Sequence, residues 1–154
     1  MDTVLVLHNF LRWAVLIFGA WAVINAITGV SSKRAFTPGD NRSGLLFMIS
    51  CDIQLLLGLV LFFANSWFDK MKTDMGAVMK SGYDRFFTVE HAGVMIIAWI
   101  LVHAGRTSVK NAGTDHAKHK KMLIFFGLGL LLILASIPWP FREAIARPWF
   151  RGFN

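Results

Sequence analysis

Apolar residues fill four long stretches of the chain, at about 4–30, 43–65, 86–109 and 119–139, and polar residues collect between them. A helix needs about 20 apolar residues to cross the hydrocarbon core of a bilayer, and each stretch is long enough. Lipid offers no partner to backbone N–H and C=O groups, so a spanning segment must satisfy them internally as a helix. The pattern predicts an all-α fold, an integral membrane four-helix bundle forming a single domain over residues 1–154.

The connections carry their own signals. Residues 66–84 are more than a connector needs, and Trp67, Phe68, Met71, Met75, Val78 and Met79 recur there at helical spacing with Lys and Asp between them. This predicts a short amphipathic interfacial helix between helices 2 and 3, ended by Gly82, or equally a lid over the outer ends of the spans. Thr37-Pro38-Gly39-Asp40-Asn41 reads as a turn, with Ser43 as the expected cap of the second span. Residues 115–121 open the fourth helix, and Pro138 and Pro140 end it. Trp149, Phe150 and Phe153 of the tail are expected at the headgroups.

Composition supports the membrane reading: 55% of residues are hydrophobic and 16% charged. The formal net charge of +7 resides mostly in loops beside the apolar runs. No basic stripe interleaved with stacking aromatics is present, so nucleic acid is not an expected partner. The partner expected first is the lipid bilayer. Cys51 is the single cysteine, which excludes an intrachain disulfide and a cysteine zinc site and leaves a buried thiol. Met1-Asp2-Thr3 lacks a basic n-region and the first run is long for a signal sequence, so it reads as a retained span. Lys33, Arg34, Arg42, Arg106, Lys110, Lys118, Lys120 and Lys121 flank one side closely. The other side's basic residues are spread among Asp69, Asp74 and Asp84, which favours both termini outside, in the periplasm of a plasma (inner) membrane protein.

Ionisable groups within the spans are costly and therefore point to function. His8 lies about a turn into the first helix, and His91 lies at comparable depth in the third at about 1.5 Å per residue. Two imidazoles at one depth on different helices suit the axial ligation of a haem iron. Arg12 follows His8 by one turn on the same face. It is expected to meet an acidic partner, Asp52 or Glu90, or a haem propionate. Asp52 is a possible proton relay or a hydrogen-bond partner of a neighbouring helix. Gln54 and Glu90 are expected to orient an imidazole or set its tautomer. His103, with His119 or His116, forms a weaker candidate pair near the inner ends. Hydrolase, P-loop and Rossmann motifs are absent.

The segments Leu7-His8-Asn9-Phe10-Leu11-Arg12-Trp13, Ile53-Gln54-Leu55-Leu56-Leu57-Gly58, Glu90-His91 and Ile137-Pro138-Trp139-Pro140-Phe141-Arg142 resemble those of small bacterial four-helix membrane proteins described as cytochrome b-like. The resemblance runs over nearly the whole chain. It implies haem b and respiratory electron transfer, and by match it bears on His8, Arg12, Gln54 and His91. The expectation is a one-electron carrier, with quinone as a possible partner. Two competing readings are an accessory subunit of a larger membrane complex or homo-oligomer, with the polar cluster as structural glue, and a proton or small-solute path through Arg12, Asp52, Glu90 and His91.

Overall fold

Thr37 sets the start of the second long helix. Its hydroxyl accepts from Asp40 N, while the Asp40 carboxylate accepts from Thr37 N at 2.7 Å, a reciprocal capping box with Pro38 in the first turn. The segment expected as a turn is therefore the first turn of the helix, and Ser43 is not its cap but a buried residue donating to Asp40 O. Asp40 also accepts both Arg34 amines, at 2.6 and 2.7 Å, which raises the Arg34 pKa above its ordinary value.

The computed structural model describes residues 2–152. Met1 of the N-terminal reading and Phe153 of the tail lie outside the described residues. The elements are α1 (Asp2–Ser32), α2 (Pro38–Ala64), α3 (Trp67–Thr73), α4 (Met75–Lys80), α5 (Gly82–Arg85), a π-helical turn (Phe86–Glu90), α6 (His91–Lys110) and α7 (Asp115–Ser136). The described residues include no strand. Four helical stretches, with α5, the π turn and α6 as one, are long and apolar enough to cross a membrane.

The long helices form a closed ring in which α1 packs on α2, α2 on α6, α6 on α7 and α7 on α1. Successive spans run in opposite directions, so α1 lies diagonally opposite α6. The core joins Val15, Ala22, Ala26, Phe47, Cys51, Ala98, Val102, Met122, Phe126 and Ile133. Phe47 and Phe126 meet edge-on at 5.6 Å between centroids. Small residues let the backbones approach, as lipid-embedded helices require. At Gly29 an added Cβ would fall 2.2 Å from the His119 ring, so α1 and α7 cross there only without a side chain.

Residues 66–85 fold as three short helices rather than one. Asp74 ends α3 and caps α4, accepting from Ala77 N at 2.8 Å, and Ser81 caps α5 in the same way. Gly82 begins α5 instead of ending a helix. A Lys70–Asp84 ion pair at 2.7 Å and the stacking of Trp67 on Phe87 tie these turns to the π turn at the N-terminal end of α6.

Candidate functional site

The two prolines after α7 create the site's first feature. In a continuing helix the carbonyls of Leu134 and Ser136 would accept from residues 138 and 140, but both are prolines and carry no N–H. Each stranded carbonyl finds a side chain. Trp139 Nε1 donates to Leu134 O at 2.9 Å, Arg142 donates to Ala135 O at 3.0 Å, and His91 Nδ1 lies 2.8 Å from Ser136 O. A carbonyl can only accept, so His91 holds its proton on Nδ1. Its Nε2 keeps the lone pair that a metal would need.

His91 stands where the π-helical turn passes into α6. Such turns shift the facing of the residues that follow, and they are frequent at functional sites. Within it Thr88 is buried and its hydroxyl has no partner among the described residues. Phe86 and Phe87 flank the His91 ring at 5.7 and 6.4 Å between centroids.

His8 approaches from the diagonal helix. Its ring packs against Gly58 of α2, where an added Cβ would lie 3.3 Å from His8 Cε1. His8 lies within electrostatic reach of both His91 and Arg12. The two predicted imidazoles thus lie at the same end of the bundle, within electrostatic reach of each other. Three sealed polar atoms in this region have no partner among the described residues: His8 Nδ1, Gln54 Oε1 and Arg12 Nε. Buried polar atoms without partners are costly, and each asks for an explanation.

Other predicted contacts are corrected. The Gln54 side chain does not orient the His8 ring: its Nε2 donates to the backbone carbonyl of His8 at 2.9 Å, which fixes the depth of α1 against α2, and it is the Gln54 backbone that hydrogen-bonds the His8 imidazole. Arg12 meets neither Asp52 nor Glu90. Its Nη2 donates to Trp149 O at 2.8 Å and reaches Pro148 O at 3.5 Å, while its guanidinium lies over Trp13 and Trp139. The tail has folded over the N-terminal turns of α1 and supplies carbonyls in place of a carboxylate. Glu90 is largely exposed and pairs with Arg85 at 2.7 Å, on the outer surface of the π turn.

Asp52 belongs to a separate cluster. It accepts from Trp99 Nε1 at 2.6 Å and pairs with His103 Nε2 at 2.7 Å. His103 is therefore engaged with α2, whereas His119 is fully buried against Gly29 and Phe36, with both ring nitrogens unpartnered among the described residues. His116 lies three residues before it in α7, and its Nδ1 is likewise buried without a partner. His103, His116 and His119 thus have different surroundings and do not form one pair. No group of three His, Cys, Asp or Glu side chains that would hold a bare metal ion occurs among the described residues.

Sequence reasoning overlooked Ser136, Thr88, Arg142 and Trp99. Pro140 standing four residues after Ser136 was a usable signal for a stranded carbonyl. Trp99, four residues before His103, shares its helix face. Comparison of the chain with family models, curated proteins and solved structures finds no match.

Proposed function

We propose that this chain is a b-type cytochrome-like membrane protein in which His8 of α1 and His91 of α6 would hold one haem. The single observation that carries the reading is the pair of imidazoles on diagonal helices within electrostatic reach of each other, one with its Nδ1 engaged by Ser136 O and its second nitrogen without a partner among the described residues. The unpartnered His8 Nδ1 and Arg12 Nε fit a polar group lodged nearby. Arg12 and Arg142, each within electrostatic reach of one of the two histidines, suit the carboxylates of a porphyrin. The resemblance to cytochrome b-like proteins points the same way.

Bound haem would supply reversible one-electron chemistry at iron. The chain's own residues do the rest. The Ser136 carbonyl holds His91 in the ligating tautomer. Gln54 sets the depth of His8 through its backbone. Phe86 and Phe87 surround the His91 imidazole with apolar surface. The membrane is a bacterial plasma membrane with both termini outside, and a membrane-soluble quinone is the redox partner.

An optical spectrum of purified protein, oxidised and then reduced with dithionite after expression with haem supplied, tests the reading. A Soret band that sharpens and shifts on reduction, lost in both His8→Ala and His91→Ala, is expected. A folded, colourless protein would overturn the reading and favour an accessory subunit.

A further inference from the structure

The Asp52–His103 pair lies on the seam between α2 and α6, the loosest of the four seams in the ring. Asp52 is twelve residues from the outer end of α2 and fourteen from its inner end, so it sits near mid-membrane. Both side chains are about one-third exposed, at 36% and 35%, and what they face there is lipid. Among the described residues nothing meets the second carboxylate oxygen of Asp52 or Nδ1 of His103. Hydrocarbon cannot satisfy these atoms, and polar groups exposed to it are expensive. A structural ion pair would turn inward, where Cys51 and Ala98 are buried; this one opens outward.

The surroundings define what would cover it. The Trp99 and His103 rings lie 4.3 Å apart between centroids, tilted 46° to each other, an aromatic pair beside the two free polar atoms. Exposed Ile49, Ile53, Ile96 and Ile100 stand on the same two helices. The occupant must enter from the bilayer, present a flat ring, carry an oxygen that accepts or donates, and trail a hydrocarbon tail. Quinones have this chemistry. Their carbonyls accept from a protonated imidazole, and the hydroxyls of the reduced form donate to a neutral one, so a carboxylate–imidazole pair meets both forms by holding or releasing one proton.

We infer that Asp52, His103 and Trp99 form a lateral binding site for a quinone headgroup. His103 Nδ1 bonds the ring oxygen, Asp52 fixes the His103 tautomer through Nε2, and Trp99 stacks on the ring. Asp52 is six residues inward of Gly58, or about 9 Å along the helix, so the site lies below His8. The site rests on its own geometry; only its part in electron transfer rests on the haem reading.

The test is a titration of the haem-free protein in lipid nanodiscs with decylubiquinone, read by quenching of tryptophan fluorescence. Saturable quenching is expected. Trp99→Phe should remove the saturable component, and Asp52→Asn and His103→Ala should each weaken binding about tenfold or more. Photolabelling of the wild-type protein with an azidoquinone, which needs no variant to fold, should mark α6 around residues 99–103. Non-saturating quenching that is the same in all variants would overturn the site, as would labelling confined to α1 or α7. So would a dimer that Asp52→Asn dissociates while quinone has no effect. Because haem is absent throughout, failure here is separable from failure of the optical test.

Discussion

Arg12 of α1 donates to the backbone carbonyl of Trp149, at 2.8 Å and 137 positions away in the chain. Around it Asn9 donates to Pro148 O, Trp13 donates to Trp149 O, and Arg151 N donates to Asn9 Oδ1. Trp13 also stacks on Phe150 at 5.5 Å. The C-terminal tail is thus latched to the first turns of the first helix through its backbone, with one buried guanidinium at the centre.

Removing that guanidinium should open the latch. A hydrogen bond to a charged group contributes about 1.5–3 kcal/mol. Arg12→Met is therefore expected to speed amide exchange over residues 148–152 by about tenfold or more, with the rest of α1 unchanged. Unaltered exchange in the tail would show that the aromatic stack alone holds it.

The prolines after α7 should control His91. In 15N-histidine-labelled protein, His91 is expected to show a protonated Nδ1 and a bare Nε2. Ser136→Ala should leave this signature intact, because the acceptor is the backbone carbonyl. Pro138→Ala together with Pro140→Ala lets α7 continue and take back that carbonyl, so the tautomer should become mixed. A mixed tautomer already in the parent protein would sink the argument.

Gly29→Ala should destabilise the bundle despite the higher helix propensity of alanine. The propensity gain is about 1 kcal/mol. The new Cβ would stand 2.2 Å from His119 Nδ1, in a site where the ring has no exposed direction to move. Overpacking of this kind costs about 1–3 kcal/mol, so a net loss in denaturant titration in detergent is expected. His119→Ala in the same chain should recover most of it, and a failure to recover would place the clash elsewhere.

Asp40→Ala should cost about 1–3 kcal/mol, since it leaves the partly exposed Arg34 guanidinium unpaired and removes the carboxylate half of the capping box, while Thr37 Oγ1 still accepts from the backbone N–H of residue 40. Asp40→Asn keeps one carbonyl oxygen for Thr37 and should cost less. Equal losses in the two variants would mean that the charge is irrelevant and only the cap matters.

The four spans and their alternating direction were legible because apolar run length is a one-dimensional quantity. Helix ends were less so: Thr37 caps a helix that begins several residues before the apolar run does, since a cap depends on local side-chain geometry rather than hydropathy. His8 and His91 stood out because charge inside an apolar run is visible in any sequence. Their partners did not. Arg12 was expected to find a carboxylate, yet its acceptors are two carbonyls of a tail whose path over α1 no local pattern encodes.

The sequence by itself determined the fold class, the number of membrane crossings and which polar residues lie within them, because the bilayer imposes segment length and helical backbone satisfaction directly on the chain. Tertiary structure decided who meets whom. It put α1 diagonally opposite α6, gave Ser136 O to His91, turned Glu90 to the surface and joined Asp52 to His103 across α2 and α6. These outcomes depend on helix rotation and on where small residues allow backbones to close up, and both are settled by packing between segments far apart in the chain.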